Sequence, residues 1–165
     1  MRSSNSSAPD PGPFGYLERC LDALEAEVPV AHGLVVRALT GRAVAIDIEG
    51  DRVTLAMASG RHCLTRGVDA GCAVELALTE AVIGRLLDAR CTVLDAVLGG
   101  EVVLRGAAED LAALHDALLA FVHGAIRSPT APRLLESYRD RAAPSKGWTR
   151  TPDASHGERH DLSQR

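Results

Sequence analysis

The fold is decided between residues 72 and 127, which read CAVELALTEAVIGRLLDARCTVLDAVLGGEVVLRGAAEDLAALHDALLAFVHGAIR. Val74, Leu76 and Leu78 alternate with smaller or charged residues, and this period of two predicts a half-buried strand. Thr79 and Thr92 each precede an apolar helical pattern and have side chains suited to capping it, so two short helices should follow. Residues 101–106 predict another strand, and residues 107–127 have the apolar spacing of a long amphipathic helix.

The residues before this stretch predict three more strands. Residues 43–49 and 53–58 alternate on either side of a glycine turn and predict a hairpin, and a shorter, more polar strand is expected at 61–66. Two further segments have helical features. Residues 14–28 have helical apolar spacing that Pro29 ends, whereas residues 30–39 fit either a short helix or a buried connector. Downstream, residues 133–141 predict one more short helix.

Length and composition limit the possible classes of function. The chain has 165 residues, of which 46% are hydrophobic and only 3% aromatic, and its formal net charge is −4. This charge argues against a nucleic-acid-binding surface, and no apolar run approaches the roughly 20 residues of a membrane span. We expect a cytoplasmic protein with one domain at residues 14–140, between disordered tails at 1–13 and 141–165.

Motifs of the commonest enzyme classes are absent from the sequence. It contains no nucleophile elbow, phosphate loop or dinucleotide fingerprint. Its cysteines form no Cys-x-x-Cys pair and are interpreted as reduced thiols; they are Cys20, Cys63, Cys72 and Cys91. His156 and His160 are four residues apart, but they lie in a polar tail without a third ligand. The sequence therefore predicts neither a metal site nor a cofactor.

The order of elements resembles a known family. A strand, a helix that begins with Leu-Thr-Glu, a second short helix and then Leu98-Gly99-Gly100-Glu101-Val102-Val103-Leu104-Arg105-Gly106 are similar to the C-terminal half of the sterol carrier, or nonspecific lipid-transfer, domain. The similarity extends over residues 41–127. It implies an α+β fold in which a five-stranded mixed sheet has helices packed mainly on one face. It also implies an apolar tunnel whose mouth the C-terminal segment covers.

Candidate site residues follow from the apolar stripes and from this resemblance. The predicted wall of the tunnel consists of aliphatic and aromatic residues: Leu86, Leu87, Val93, Leu94, Val97, Leu98, Val103, Leu118, Phe121 and Val122. The predicted lid consists of Leu134, Leu135 and Tyr138. The candidates for a proton-transferring group are His62 and His123, because histidine titrates near neutral pH. A residue of this kind, taken alone, is more often an ordinary core position than part of a ligand-binding wall, and the resemblance raises the odds for the group as a whole.

Three functions are compatible with these features. The first is a carrier that sequesters or transfers a hydrophobic small molecule such as a lipid, an acyl chain or a polyketide-like compound. The second is a tailoring enzyme of secondary metabolism, a cyclase or an isomerase, which would use the same cavity to position an apolar substrate. The third is a domain that acts only by binding a protein partner in trans.

Overall fold

The computed structural model describes residues 12–68 and 70–142. Six helices and five strands lie within these ranges: α1 (Gly12–Glu27), α2 (Pro29–Leu39), β1 (Ala43–Ile48), β2 (Asp51–Ala58), β3 (Arg61–Arg66), β4 (Val74–Leu78), α3 (Glu80–Leu87), α4 (Val93–Leu98), β5 (Val103–Gly106), α5 (Ala108–Arg127) and α6 (Ala131–Ala142). The segment that fitted either a helix or a connector is therefore a helix, α2, with Pro29 at its first position. Proline is tolerated there because the first turn has no backbone acceptor for its missing N–H.

The strands form one mixed sheet in the order β3-β2-β1-β4-β5. The first three strands are an antiparallel meander, β4 then lies parallel to β1, and β5 returns antiparallel to β4. The predicted α+β class and five-stranded mixed sheet are confirmed. The parallel pair forms because the chain crosses from β3, at one edge, to the free side of β1.

One face of the sheet carries the hydrophobic core. Val44, Ile46 and Ile48 of β1 and Val74 of β4 are buried in it together with residues of α1, α2 and α5. Charged residues lie on the other face: Asp47 pairs with Arg52, and Glu75 pairs with Arg105. Alternation along the strands therefore separates a helix-covered apolar face from a charged one.

The two threonines cap their helices as predicted. The Thr79 hydroxyl accepts a hydrogen bond from the Val82 backbone N–H at the start of α3. Thr92 and Asp95 form a reciprocal capping box at the start of α4. These caps satisfy backbone donors that would otherwise lack partners, and they set where each short helix begins.

The domain boundaries differ slightly from those predicted. α1 begins at Gly12 and not after residue 13, because Pro13 lies in the first turn, where proline does not disrupt a helix. α6 continues to Ala142, two residues beyond the predicted end of the domain. Residues 1–11 and 143–165, with His156 and His160, lie outside the described ranges. Among the described helices, none combines the length and the hydropathy required to cross a membrane.

Candidate apolar cavity

A cavity of about 300 Å³ lies between the core face of the sheet and the helices. None of the described residues that line it is charged. They are Pro13, Tyr16, Leu17, Cys20, Leu21, Val35, Leu39, Ile46, Ile48, Leu55, Leu76, Leu78, Ile83, Leu87, Leu114, Ala117, Leu118, Phe121, Leu135 and Tyr138. Its volume is at the lower end of the ~300–1,000 Å³ that is typical of small-molecule sites.

Strands and helices supply opposite walls of this cavity. Residues of β1, β2 and β4 form its floor, because the side chains at alternate positions of these strands all point to the core face. α1 and α5 supply the facing wall through positions spaced three and four apart, such as Leu114, Leu118 and Phe121. Several wall residues, including Leu76, Leu78 and Phe121, are only partly buried although they pack against the core. They would therefore lose further exposed apolar surface if the cavity were filled.

The helices approach one another closely at Gly124, a residue that does not line this cavity. α5 packs against α1 and α2 at Gly124, where a Cβ atom would lie 2.7 Å from the Ala31 Cβ and 3.0 Å from the Leu24 Cδ2. Ala117, two turns earlier on α5, also has a small side chain. It lines the cavity together with side chains of other elements. The close contact at Gly124 positions the helices, and the cavity-lining residues of α5 lie N-terminal to it, between Leu114 and Phe121.

α6 extends across one end of the cavity. Tyr138 is buried there and contacts the Tyr16 ring edge to face, with 5.4 Å between ring centroids. Burial raises the pKa of Tyr138 to about 12, so its phenol stays neutral at physiological pH. The Arg141 guanidinium lies 5.0 Å from the centroid of the Tyr138 ring and makes an ion pair of 2.9 Å with Glu80 of α3. α6 is thus attached to both α1 and α3, the helices on either side of that end.

Similarity to known proteins is found at the level of structure. No protein-family model matches the sequence, and no curated protein matches it. The UbiJ-SCP2 ubiquinone synthesis protein superposes with a TM-score of 0.50 at 14% identity, over 65% of this chain and 88% of that one. The sterol carrier protein domain 2 of Helicoverpa armigera also gives a TM-score of 0.50 at 14% identity, over 66% and 87% of the two chains. The chain has a sterol-carrier-like fold.

The match with a larger protein is more limited. For the sec-alkylsulfatase Pisa1 from Pseudomonas sp., the TM-score is 0.39 at 18% identity, and the superposition covers 50% of this chain and 14% of the alkylsulfatase. This chain therefore spans only a small part of that protein.

Five of the residues predicted from the sequence line the cavity of this sterol-carrier-like fold. Leu87, Leu118 and Phe121 were predicted as wall residues, and Leu135 and Tyr138 as lid residues. Leu118 is 40% exposed, so it contacts both the cavity and solvent. These five residues all come from α3, α5 and α6.

The other predicted wall and lid residues lie outside the cavity: Leu86, Val93, Leu94, Val97, Leu98, Val103, Val122 and Leu134. Leu94 and Leu98 of α4 are 64% and 77% exposed, because this six-residue helix buries only Ala96. Leu86 and Val97 pack instead in a separate small core around Val82 and Val102. The predicted apolar stripes exist, but the stripe of α4 does not point to the cavity.

The two candidate histidines also lie away from the cavity. His123 is exposed on α5, beside a surface groove between α2 and α5. The His62 side chain is buried beneath α1 and contacts His32 and Asp22. No histidine or carboxylate lines the cavity among the described residues.

Sequence reasoning missed most of the wall. Leu17, Cys20 and Leu21 of α1 and the core-facing strand residues form much of it. Their periodicity identified them as buried, but periodicity does not distinguish a residue that borders a cavity from one that packs against a neighbour. Residues that border the cavity differ from closely packed ones only in the distance between the sheet and the helices around them, which the sequence does not give.

Proposed function

We propose that this protein binds a hydrophobic small molecule, such as a lipid, an acyl chain or a polyketide-like compound, and sequesters or transfers it. The observation that carries the proposal is the cavity of about 300 Å³ whose described lining contains no charged residue. The sterol-carrier-like fold supports it, because the solved relatives with this fold are named as sterol carrier proteins. Carriage of this kind requires desolvation of the ligand and no covalent step.

The hydrophobic effect supplies enough free energy for such binding. A ligand that buries about 300 Å² of its own apolar surface gains on the order of 7 kcal/mol at ~25 cal/mol per Å². The partly exposed wall residues add a comparable gain when the ligand covers them. From this sum the loss of translational and rotational freedom, at least ~4 kcal/mol, must be subtracted. A micromolar dissociation constant, which corresponds to about −8 kcal/mol, is therefore within range.

The enzymatic alternative receives no support from the geometry of the cavity. A cyclase or isomerase needs an acid or a base within hydrogen-bonding reach of the reacting atoms. His62 and His123 were the candidates, and both lie away from the described lining of the cavity. We therefore favour carriage over a role in secondary metabolism, and we expect His123→Ala to leave binding intact.

A cytoplasmic location and delivery to a protein partner in trans complete the proposal. The four cysteines are unpaired in the structure, which fits a reducing compartment. A carrier must also release its ligand to an acceptor, and α6 covers the end of the cavity through which we expect the ligand to pass. Leu135 and Tyr138 on this helix are the proposed lid residues.

The decisive experiment compares one substitution at two leucines. Leu118→Glu places a carboxylate in the cavity wall at a position with partial solvent contact, whereas Leu98→Glu places it on the surface of α4. Because an ionised group in an apolar site is strongly unfavourable, we expect Leu118→Glu to weaken binding of a fluorescent fatty acid at least ~30-fold. Leu98→Glu should bind like the wild type. Circular dichroism of both variants controls for folding, and Leu135→Glu replaces Leu118→Glu if the latter unfolds.

Two results would refute the proposal. One is a folded Leu118→Glu or Leu135→Glu variant that binds the probe as tightly as the wild type. The other is wild-type protein that carries no apolar molecule in native mass spectrometry and also binds no fluorescent fatty acid.

A further inference from the structure

Two buried histidines meet on the core side of the edge strand β3, away from the cavity. The Nε2 atom of His32, on α2, lies 3.1 Å from the Nδ1 atom of His62, on β3. His32 is 5% exposed, and the side chain of His62 is 6% exposed. The rings are nearly perpendicular, at 78°, so each presents a nitrogen to the same small volume. At this separation the two rings share a hydrogen bond, and imidazole nitrogen is also the commonest metal ligand in proteins.

A carboxylate completes a set of three ligand atoms. The Oε2 atom of Glu25, on α1, lies 3.8 Å from His62 Nδ1, and one atom each of Glu25, His32 and His62 lie within 4.8 Å of one another. Around a tetrahedral Zn²⁺ ion with bonds of 2.0–2.1 Å, neighbouring ligand atoms are about 3.4 Å apart. To reach that geometry the two histidine nitrogens, 3.1 Å apart, would separate by about 0.3 Å, and Glu25 Oε2 would approach His62 Nδ1 by about 0.4 Å. The Glu25–His32 separation, at most 4.8 Å, would shorten by up to about 1.4 Å.

The second nitrogen of His62 is held as it is in metal sites. His62 Nε2 lies 3.2 Å from Asp22 Oδ1. Histidines that bind a metal commonly donate their other N–H to a carboxylate, which fixes the tautomer and leaves the free nitrogen for the metal. With its proton on Nε2, His62 would direct the Nδ1 lone pair toward Glu25 and His32. Burial lowers the pKa of His32, which favours the neutral ring that metals bind.

Arg61 is the cation nearest to this carboxylate in the described network. Its Nε atom lies 3.0 Å from Glu25 Oε1, and its Nη2 atom donates to Glu25 Oε2 at 3.4 Å; the same Oε2 lies 3.8 Å from His62 Nδ1. A metal at Glu25 Oε2 would therefore replace the longer Arg61 Nη2 contact, while the shorter Arg61 Nε contact to Oε1 would remain. Without a metal the same residues form a hydrogen-bonded histidine pair flanked by ion pairs. The two interpretations make different predictions about metal affinity.

We propose that Glu25, His32 and His62 form a binding site for a divalent transition-metal ion, with Asp22 as the residue that orients His62. Two imidazoles and one carboxylate are a ligand set found in Zn²⁺ sites and also in non-haem Fe²⁺ sites, and Zn²⁺, which has no redox chemistry, is the simpler ion to test. The site joins α1 and α2 to the edge strand, so a bound ion stabilises the folded state by mass action. Sequence spacing does not reveal it, because His32 and His62 are 30 residues apart and each is isolated in its own segment.

The test measures Zn²⁺ affinity of the full chain, stripped of metal, by competition with a chromophoric chelator. We expect one ion per chain, and a loss of at least ~100-fold in affinity for His62→Gln or Glu25→Gln, since each removes a ligand. Asp22→Asn should weaken binding by about 10- to 100-fold, as expected for a residue that orients a ligand. Zn²⁺ should raise the melting temperature of the wild type and leave that of His62→Gln unchanged.

Controls address the other possible ligands in the chain. The double variant His156→Gln/His160→Gln and the single variant Cys63→Ser should keep wild-type affinity. With Co²⁺, the visible spectrum should be that of a four-coordinate nitrogen and oxygen site without a thiolate charge-transfer band. The proposal is overturned if the wild type binds no Zn²⁺ at micromolar concentration, or if folded His62→Gln retains the affinity. It is also overturned if the His156→Gln/His160→Gln variant abolishes binding.

Discussion

Replacing Gly124 by alanine should force apart the helices that frame the cavity. The new Cβ atom would lie 2.7 Å from the Ala31 Cβ and 3.0 Å from the Leu24 Cδ2. Carbon atoms in contact prefer about 3.5–4.0 Å, so a displacement of about 1 Å is required. Neither neighbour can easily supply it, because the Ala31 Cβ moves only with the backbone of α2 and Leu24 is fully buried.

The expected magnitude is the difference between two effects. Overpacking of this kind destabilises proteins by about 1–3 kcal/mol, and the rigid neighbours favour the upper half of that range. Alanine in the middle of a helix gains about 1 kcal/mol over glycine, which offsets part of the loss. We therefore expect Gly124→Ala to lower the free energy of unfolding by about 1–2 kcal/mol.

Gly33→Ala is the matched control for this prediction. Gly33 lies inside α2, and a Cβ atom built there has no neighbour within 4 Å. Because the added methyl group meets no neighbour, only the higher helix propensity of alanine affects stability. This variant should therefore be more stable than the wild type by about 0.5–1 kcal/mol. Urea unfolding followed by circular dichroism gives both values. If Gly124→Ala proves as stable as Gly33→Ala, the close helix contact described above is incorrect.

Two further predictions concern polar contacts at helix ends. Hydrogen bonds from Ser128 and Thr130 lower the pKa of the Glu27 carboxyl in the folded state. The ionised carboxylate therefore stabilises the fold above the unfolded-state pKa of about 4.3, and this stabilisation is lost as the pH falls through the lower folded-state pKa. Glu27→Gln should therefore reduce stability at pH 7 and flatten the acid limb of a urea-midpoint series, and an unchanged limb would contradict this assignment. Thr92→Ala removes the capping box of α4 and should reduce stability by about 1 kcal/mol, whereas Thr92→Ser should retain most of it. Equal midpoints for the two Thr92 variants would show that the cap contributes little.

Structural features that depend only on residues adjacent in the sequence could be predicted from the sequence. Alternation identified Val44, Ile46 and Ile48 as the buried face of β1, and the position of Thr79 identified the start of α3. Both signals are local, because side-chain direction in a strand and capping at a helix start depend on a few consecutive residues. The five-stranded mixed sheet was predicted from the family resemblance, but its strand order was not, since no local pattern predicts that β4 pairs with β1.

The cavity wall was harder to predict because it depends on which layers face each other. Leu94 and Leu98 have the spacing of a buried stripe, yet they are exposed on α4. A helical period of 3.6 residues shows that a helix has an apolar side, but it does not tell which of two cores the helix covers or how completely. α3 and α4 contribute to a separate small core around Val82 and Ala96, and this core includes two of the predicted wall residues, Leu86 and Val97. The pairing of His32 with His62 was beyond sequence reasoning for the same reason.

α1 connects the two proposed sites, and this allows them to be tested separately. Leu17, Cys20 and Leu21 line the cavity, whereas Asp22 and Glu25 contact the histidine pair. Successive residues of a helix are about 100° apart, so one helix can present both faces without a shared side chain. Glu25→Gln should therefore remove Zn²⁺ binding and leave fatty-acid binding unchanged, while Leu118→Glu should do the opposite. If either substitution abolishes both activities in a folded protein, the two sites are not independent, and α1 couples them.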